Sequence, residues 1–312
     1  MKSLKSSSDI FYVPSKTFLW GEYAALEGGS AGLVATEPCF AFSDAKILLD
    51  QQEVSQDFTF HPESPAGKFI DHTRAKLNLP AEEVKALSSC QMFDPHHGAG
   101  GFGRSTAEFV YVAYKLKSRL DMDIQTLWEL YREIVPHAGT QALPPSGYDL
   151  VTQLKSNFNV IHVLSGQLRL MVKPWPFTRL SFLLFKTKKK VFTHQHVSGL
   201  SSDVLKPLLS ASEKVSFQYT QEDQEGFIQA MTTFRGLLEE SDLICAETLD
   251  IVKRLYDVPN ISFAKGCGAL GADVVAVFCK KQYKNQVLNE IGTLYADDLR
   301  FVTDEDGVVF KN

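Results

Sequence analysis

Four glycines lie close together near residue 100 and lead directly into residues that favour a helix. They are Gly98, Gly100, Gly101 and Gly103, in the stretch "HHGAGGFGRSTAEF". Glycine lets successive backbone N–H groups point into one concavity, and a helix that begins there adds its unpaired N–H groups and the positive end of its dipole. The pattern predicts a phosphate-binding loop, although a plain turn before a helix has the same composition.

Three residues after the glycines add side chains suited to phosphate or magnesium. A hydroxyl of Ser105 or Thr106, in the first turn of the predicted helix, can cap that helix or reach a phosphate-bound magnesium ion. Arg104 stands where a Walker loop requires lysine, and the polar "QMFDPHH" before the glycines does not fit the buried strand of a dinucleotide fingerprint. The loop therefore differs from both of these better-known phosphate loops.

Three further stretches combine turn residues with groups that can take part in chemistry. "PSKTFLWGEYAALEGGSAGL" places Lys16 at the start of a predicted strand, ahead of a Gly-Glu pair and a Gly-Gly turn. "PSGYDL" presents Asp149 after a turn, where the carboxylate either serves a site or caps the following segment. "AKGCGALGADVVAVF" supplies a second glycine loop between two predicted strands.

The elements that position these residues follow from periodicity. Apolar residues at three- and four-residue steps predict a helix over 104–120 and another over about 124–135, and similar spacing predicts three helices between residues 202 and 257. Runs of β-branched and aromatic residues predict strands in the first 45 residues, in "FNVIHVL", "QLRLMV" and "RLSFLLF", and near the C-terminal end. The pattern predicts an α+β fold in two lobes that meet near residue 155.

Composition excludes several classes of protein. The chain has 312 residues and a formal net charge of −5, which argues against a nucleic-acid binder that works through overall charge. The five cysteines form no CxxC pair, so neither a disulfide framework nor a zinc site is indicated. No signal-peptide core or membrane-spanning run is evident, which predicts a cytoplasmic protein with no membrane partner. The sequence leaves open a monomer or a homodimer.

Together, the three glycine-containing motifs resemble the signature of the GHMP kinase superfamily. Its middle motif is P-x-G-x-G-L-G-S-S-A-A, which "GAGGFGRSTAEF" follows with Phe102 for leucine and Arg104 for the first serine. The resemblance implies an N-terminal lobe of the ribosomal-protein-S5-like type over residues 1–155. It also implies a ferredoxin-like C-terminal lobe over residues 156–312 and the use of ATP and Mg²⁺ for phosphoryl transfer.

The resemblance also assigns roles to residues. It implies that Asp149 is the catalytic aspartate and that Lys16 contacts the acceptor or the transferred phosphate. It implies that Ser105 binds magnesium, with Glu133 the nearest candidate for a second metal ligand, although Glu133 also fits an ordinary exposed helix position. The nucleotide phosphates are expected to contact the following residues: Gly98, Gly100, Gly101, Gly103, Arg104, Ser105 and Thr106.

Substrate contacts are expected around the other motifs. The expected residues are Lys16, Glu22, Ser146, Lys188, Gly268 and Ala269. Lys188 belongs to the basic run "KTKKK" at 186–190, which either meets an anionic acceptor or forms a solvated turn.

The same motifs favour one branch of the superfamily. "GEYAALEGG" resembles the G-E-Y-A-V-L-E of phosphomevalonate kinases, "PSGYDL" resembles their G-S-G-[FY]-D-V, and "GCGALGADVVAV" resembles their last glycine loop, with Asp273 at the aspartate. Phosphomevalonate is therefore the first expected acceptor, mevalonate the second and a sugar or another small alcohol the third. A catalytically inactive homologue that only binds nucleotide or a small molecule is the alternative.

Overall fold

Two main antiparallel sheets share one hydrophobic core. The computed structural model describes residues 10–49, 52–98, 100–120, 122–135, 144–186, 200–272, 274–294 and 302–303. Buried side chains of both sheets and of the helices between them form a continuous cluster that runs from Val13 to Phe278. Within the described ranges, no helix is both long and apolar enough to cross a membrane.

The first sheet is organised around one long central strand. Its strands are β1 (Phe11–Trp20), β2 (Ala31–Ser43), β5 (Gln56–Thr59), β6 (Ser89–Phe93), β7 (Phe158–Leu164) and β8 (Gln167–Lys173), while β3 (Leu48–Leu49) and β4 (Gln52–Glu53) pair separately. Strand β2 pairs with β1 on one side and with both β6 and β7 on the other. This arrangement buries most of β1 and β2, the strands on which the first motif lies.

Five helices belong to the first half of the chain. They are α1 (Pro65–Leu77), α2 (Ala81–Leu87), α3 (Arg104–Leu116), α4 (Ile124–Ile134) and α5 (Tyr148–Lys155). Side chains of Ser64 and Asp123 cap α1 and α4 by accepting backbone N–H groups. The helices predicted after the glycine loop and from residue 124 are confirmed as α3 and α4.

The second sheet has the strand order of a ferredoxin-like lobe. Its strands are β9 (Leu180–Lys186), β10 (Ile261–Cys267), β11 (Val274–Lys280) and β12 (Val302–Thr303), in the order β10-β11-β9-β12. The connection from β9 to β10 contains α6 (Ser202–Thr220), α7 (Gln224–Glu240) and α8 (Ala246–Leu255), and α9 (Lys284–Leu294) lies between β11 and β12. The three helices predicted between residues 202 and 257 are confirmed.

Sheet membership changes later in the chain than residue 155. Strands β7 and β8 follow that point, yet β7 pairs with β2 of the first sheet and β8 pairs with β7. The chain enters the second sheet only at Leu180. The division into units 1–155 and 156–312 stays a prediction, whereas the backbone pairing passes from one sheet to the other between β8 and β9.

A buried ion pair connects the two sheets. Lys265 of β10 places its Nζ 2.7 Å from Oε1 of Glu22, which follows β1. The Lys265 side chain is fully buried and that of Glu22 is 5% exposed. Burial lowers the pKa of Lys265, but the charge of Glu22 and its hydrogen bond outweigh burial, so the pKa is raised overall. Lys265 is therefore charged, and the Glu22 carboxylate is its counter-charge.

Replacement of Glu22 by glutamine is expected to destabilise the protein strongly. It leaves the Lys265 charge buried without a counter-charge, which costs about 3 kcal/mol or more of unfolding free energy. Urea unfolding followed by circular dichroism measures the change. Glu53→Gln is the matched control, because Glu53 forms a pair with Lys46 at 2.8 Å on the exposed surface and its loss should leave the midpoint almost unchanged. Equal effects of the two substitutions would contradict this account of the interface.

Candidate functional site

Lys16 and Asp149 form an ion pair at the centre of the site. Nζ of Lys16, on β1, lies 2.8 Å from Oδ2 of Asp149, in the first turn of α5. The Lys16 side chain is 9% exposed and that of Asp149 is 29% exposed. Oδ1 of Asp149 is buried and accepts no hydrogen bond from the part of the chain that the structure describes. The pair therefore fixes Oδ2, while Oδ1 is a buried acceptor with no partner among the described residues.

The turn before α5 explains why Asp149 lies there. Gly147 has a φ of +70°, and a Cβ at this position would lie 2.7 Å from Cδ1 of Trp128 on α4. Nε1 of Trp128 donates a hydrogen bond to the Ser146 carbonyl at 2.8 Å, and Nε of Arg132 donates to the Pro145 carbonyl at 3.0 Å. These two hydrogen bonds from α4 fix the turn before α5, so that α5 begins where the Asp149 carboxylate contacts Lys16.

The glycine loop packs directly against Lys16. The backbone N–H of Lys16 donates to the Phe102 carbonyl at 3.0 Å. Gly103 has a φ of +83°, and a Cβ there would lie 2.8 Å from Cε of Lys16. Nε2 of Gln153, on α5, donates to the carbonyls of both Gly103 and Pro14, at 3.1 and 2.8 Å. Strand β1, helix α5 and the glycine loop therefore meet at Gly103.

A carboxylate organises the first half of the loop. Asp94 accepts hydrogen bonds from the backbone N–H groups of His96 and Gly98, both at 2.8 Å. Nη1 of Arg104 lies 3.3 Å from the same carboxylate, and its Nε lies 3.1 Å from Oε1 of Glu108. Burial raises the pKa of Glu108, while the charge of Arg104 opposes that rise. The Arg104 guanidinium is thus held by two acids beside the loop, and its expected phosphate contact stays a prediction.

The N-terminus of α3 carries the two hydroxyls of the motif in different environments. Ser105 is exposed, whereas Thr106 is buried beside Tyr131. Burial raises the pKa of Tyr131, and the nearby charge of Asp149 raises it further. No side-chain hydrogen bond caps the N-terminus of α3 in the described part of the chain. The first-turn N–H groups are therefore suited to an anion.

The tyrosine of the first motif holds the last glycine loop. The hydroxyl of Tyr23 accepts a hydrogen bond from the backbone N–H of Leu270 at 2.9 Å. Burial raises the pKa of Tyr23 to about 12, so the phenol stays neutral. Gly268, with a φ of +81°, accepts a hydrogen bond from the N–H of Gly271 at 3.0 Å. Ala269 lies between them, so both predicted substrate residues of this loop belong to a turn attached to the first motif.

Two predicted site residues lie away from the Lys16–Asp149 pair. Glu22 is bound to Lys265 in the interface between the sheets, because a buried lysine requires a counter-charge, and its predicted substrate contact gains no support. Glu133 is exposed on α4, on the face opposite the buried Tyr131, and its role as a metal ligand stays a prediction. Within the described ranges, no group of three or more His, Cys, Asp or Glu residues can hold a metal ion.

Some predictions fall outside the described residues, and some site residues were not predicted. Lys188 and Asp273 lie outside the described ranges. Sequence reasoning missed Asp94 and Gln153, although an aspartate four residues before a glycine, as in "DPHHG", is typical of a side chain that caps a turn. No local pattern marks Gln153, because its partners lie on β1 and in the glycine loop.

Comparisons with known proteins identify the fold. The sequence matches no protein-family model, and no curated protein matches it. Among solved structures, the chain is similar to Streptococcus pneumoniae phosphomevalonate kinase in complex with phosphomevalonate and AMPPNP, with a TM-score of 0.70 and 15% identity over 94% of this chain and 98% of that one. It is also similar to L. major mevalonate kinase in complex with R-mevalonate, with a TM-score of 0.65 and 13% identity over 97% and 98% of the two chains.

A third similar structure is that of a galactokinase. The structure of Lactococcus lactis galactokinase complexed with galactose aligns with a TM-score of 0.65 and 10% identity over 95% of this chain and 92% of that one. All three are GHMP kinases, and the likeness covers nearly the whole chain. The protein therefore has the GHMP kinase fold, as the sequence motifs predict, while identities of 10 to 15% leave its substrate open.

Substitution of Gly103 by alanine is expected to disrupt the site more than substitution of Gly98. Both glycines have φ near +80°, so each alanine substitution lowers the unfolding free energy by about 1 kcal/mol or more, because alanine disfavours the left-handed conformation. Only at Gly103 does the new Cβ collide with Lys16, whereas Gly98 has open space around it. Thermal unfolding should therefore show a larger loss of stability for Gly103→Ala. Equal losses would show that the close approach to Lys16 has no energetic importance.

Removal of the Asp94 carboxylate should loosen the glycine loop. In Asp94→Ala the backbone N–H groups of His96 and Gly98 lose their acceptor, so we expect their hydrogen exchange to accelerate about tenfold, consistent with the loss of a hydrogen bond to a charged group. Hydrogen exchange detected by mass spectrometry measures the exchange rates of these amides. The control is Asp123→Ala, which removes a comparable cap from α4 and should leave exchange in the glycine loop unchanged. Unchanged exchange in Asp94→Ala would contradict the role of this carboxylate.

Proposed function

We propose that this protein is an ATP-dependent kinase that transfers the γ-phosphoryl group to a small anionic acceptor, an alcohol or a phosphate. The observation that carries the proposal is the meeting of three parts: the Asp149 carboxylate, the Lys16 ammonium and the glycine loop at Gly103. Phosphoryl transfer needs charge neutralisation, an acceptor oxygen in line with the phosphorus and a group that orients or deprotonates that oxygen. These three parts are suited to those three needs.

The glycine loop and the start of α3 fit the phosphates of ATP. Gly98, Gly101 and Gly103 all have positive φ, a conformation that lets backbone N–H groups converge. The uncapped first turn of α3 adds N–H donors and the positive end of the helix dipole. A Cβ at Gly103 would fill the space beside Lys16, so the glycine keeps the lysine ammonium next to the loop.

The residues present also fit a magnesium ion that arrives with the nucleotide. Mg²⁺ keeps several waters and is usually held by one or two protein oxygens together with substrate phosphates. The exposed hydroxyl of Ser105, at the start of α3, supplies an oxygen atom of this kind. When bound, the ion would neutralise phosphate charge. The proposal assigns no metal role to Glu133.

Asp149 and Lys16 have different roles at the acceptor in this proposal. When the acceptor is an alcohol, such as mevalonate or a sugar, the Asp149 carboxylate accepts the hydroxyl proton as the acceptor oxygen forms the new bond to phosphorus, and the bond from phosphorus to the ADP oxygen breaks. When the acceptor is phosphomevalonate, the attacking oxygen belongs to its ionised phosphate, no hydroxyl proton is removed, and Asp149 acts by positioning Lys16. Lys16 holds Oδ2, which orients the carboxylate, and its positive charge also attracts the phosphoryl group. Because Lys16 is nearly buried, its ammonium acts with little screening by water.

Phosphomevalonate is the acceptor that we propose first. The "GEYAALEGG" and "PSGYDL" motifs resemble those of phosphomevalonate kinases, and a phosphomevalonate kinase is among the similar structures. Two motif tyrosines have structural roles here: Tyr23 holds the last glycine loop, and the hydroxyl of Tyr148 donates to the Gly29 carbonyl at 3.1 Å. Mevalonate is the second candidate, and a sugar is the third.

An inactive homologue that only binds its ligands is the competing proposal. Arg104 in place of the family serine favours it, since the guanidinium is occupied by Asp94 and Glu108. The Lys16–Asp149 pair favours the kinase, because a carboxylate with one oxygen fixed and the other free has no evident structural purpose at the base of a glycine loop.

Coupled ADP release with ATP and magnesium tests the proposal. The acceptors to compare are phosphomevalonate, mevalonate, homoserine and several hexoses. We expect turnover with phosphomevalonate and a loss of about 100-fold or more in Asp149→Asn, because Lys16 loses the carboxylate that positions it and a misplaced group can cost a factor of this size. Asp203→Asn is the matched control, because Asp203 also lies in the first turn of a helix but on α6, and it should retain full activity.

Three outcomes would count against parts of the proposal. Turnover with another acceptor that is lost in Asp149→Asn would retain the kinase and replace the substrate. Nucleotide binding without turnover on any acceptor would favour the inactive homologue. Full activity of Asp149→Asn would contradict the role of this carboxylate.

A further inference from the structure

A second cavity lies outside the candidate catalytic site. It has a volume of about 640 Å³ and opens between helix α6 and the hairpin of β7 and β8. The residues around it include Val160, Arg169, Met171, Glu213, Ser216 and Phe217. None of the residues assigned above to nucleotide, metal or catalysis is among them.

The cavity and the catalytic helix use opposite faces of the first sheet. On β7, Val160 and His162 point to α6, whereas Ile161 packs with Tyr148 and Val151 of α5. Alternate residues of a strand face opposite sides of a sheet. The part of the cavity at Val160 and His162 is therefore separated from Asp149 by the sheet, while Val163 and Leu170, which also line the cavity, pack with the cluster on the α5 side.

One end of the cavity is apolar. Val160 and Met171 are cross-strand partners on β7 and β8, and both line it. Phe217 of α6 faces them from the other wall, and its side chain is 58% exposed. A phenylalanine exposed to this extent beside apolar strand residues leaves a surface that an apolar ligand can cover. The volume lies within the range of roughly 300–1,000 Å³ typical of small-molecule sites.

The floor of the cavity contains an unsatisfied hydroxyl donor. Nε1 of Trp20 donates to Oγ of Ser216 at 2.8 Å, and the hydroxyls of Ser216 and Ser30 lie 2.6 Å apart. Both serines are 6% exposed. One O–H must donate to the other oxygen, and the remaining O–H donates to no acceptor in the described residues. A buried polar group of this kind favours a ligand that brings an acceptor.

The other end of the cavity is basic. Arg169 on β8 and His162 on β7 are directly opposed in the hairpin. Arg169 is exposed and forms no ion pair with the described residues. Glu213 of α6 stands on the opposite wall, where its charge would repel a ligand that carries several negative charges. The combination favours one negative charge on the ligand, bound by the guanidinium.

We propose that this cavity binds a small amphipathic monoanion, with its charged head group on Arg169 and its apolar body against Val160, Met171 and Phe217. The ligand class is a medium-chain carboxylate or another molecule with the same division of charge and apolar surface. The site is independent of the proposed kinase activity, because it shares none of the residues assigned to that activity.

Fluorescence of 1-anilinonaphthalene-8-sulfonate, an amphipathic monoanion, provides the first probe, with displacement by octanoate and by octan-1-ol. We expect saturable binding of the probe, displacement by octanoate, and weaker displacement by octan-1-ol, which lacks the charge. Arg169→Gln should weaken the binding of octanoate about tenfold, the loss expected for one charge-assisted contact. It should also remove the preference of the cavity for octanoate over octan-1-ol. Arg254→Gln, which removes an exposed arginine from α8, is the matched control and should change neither value.

A second variant tests the apolar part of the proposal. Thr220 lines the cavity from α6, and Thr220→Trp should fill it and abolish displacement by both compounds, while circular dichroism confirms the fold. Absence of saturable probe binding to the wild-type protein would overturn the proposal. So would octanoate affinity that is the same in the wild-type protein and in Arg169→Gln, or binding that survives in Thr220→Trp.

Discussion

The close approach of the Gly103 backbone to the Lys16 side chain is the constraint on which the candidate site depends. A side chain at residue 103 would occupy the space that the lysine stem needs to place its ammonium 2.8 Å from Asp149. Gln153 reinforces this meeting point by donating to the carbonyls of Gly103 and Pro14. The loop, the strand and α5 therefore form one rigid unit, which is what a site that must position a phosphoryl group requires.

Polar contacts that are distant in sequence hold the remaining motifs around this unit. Glu22 and Lys265 are 243 residues apart, yet their ion pair joins the two sheets, and Tyr23 binds the backbone of the last glycine loop. Both contacts are buried, so loss of one partner leaves a charge or a polar group without solvation. The first motif therefore acts mainly as the connection between the two sheets, and Lys16 within it forms the ion pair with Asp149.

Local patterns in the sequence were sufficient for the elements and for part of the site. The spacing of apolar residues predicts α3 and α4 closely, and motif resemblance leads to Lys16, Asp149 and the glycine loop. The sequence does not show that β7 and β8 pair in the first sheet, because strand pairing depends on contacts across long separations. Long sequence separation also explains why Glu22 was expected to contact a substrate, whereas its partner in the structure is Lys265. The sequence analysis also missed Asp94, although its carboxylate accepts hydrogen bonds from two backbone N–H groups of the glycine loop.

Hydrogen exchange with and without AMPPNP and magnesium is the most direct measurement of whether the glycine loop and the start of α5 are one nucleotide site. The account predicts that the analogue slows exchange of backbone amides over residues 100–106 and over residues 147–150, because both segments meet at Lys16. Protection of neither segment, or protection confined to the hairpin of β7 and β8, would contradict it.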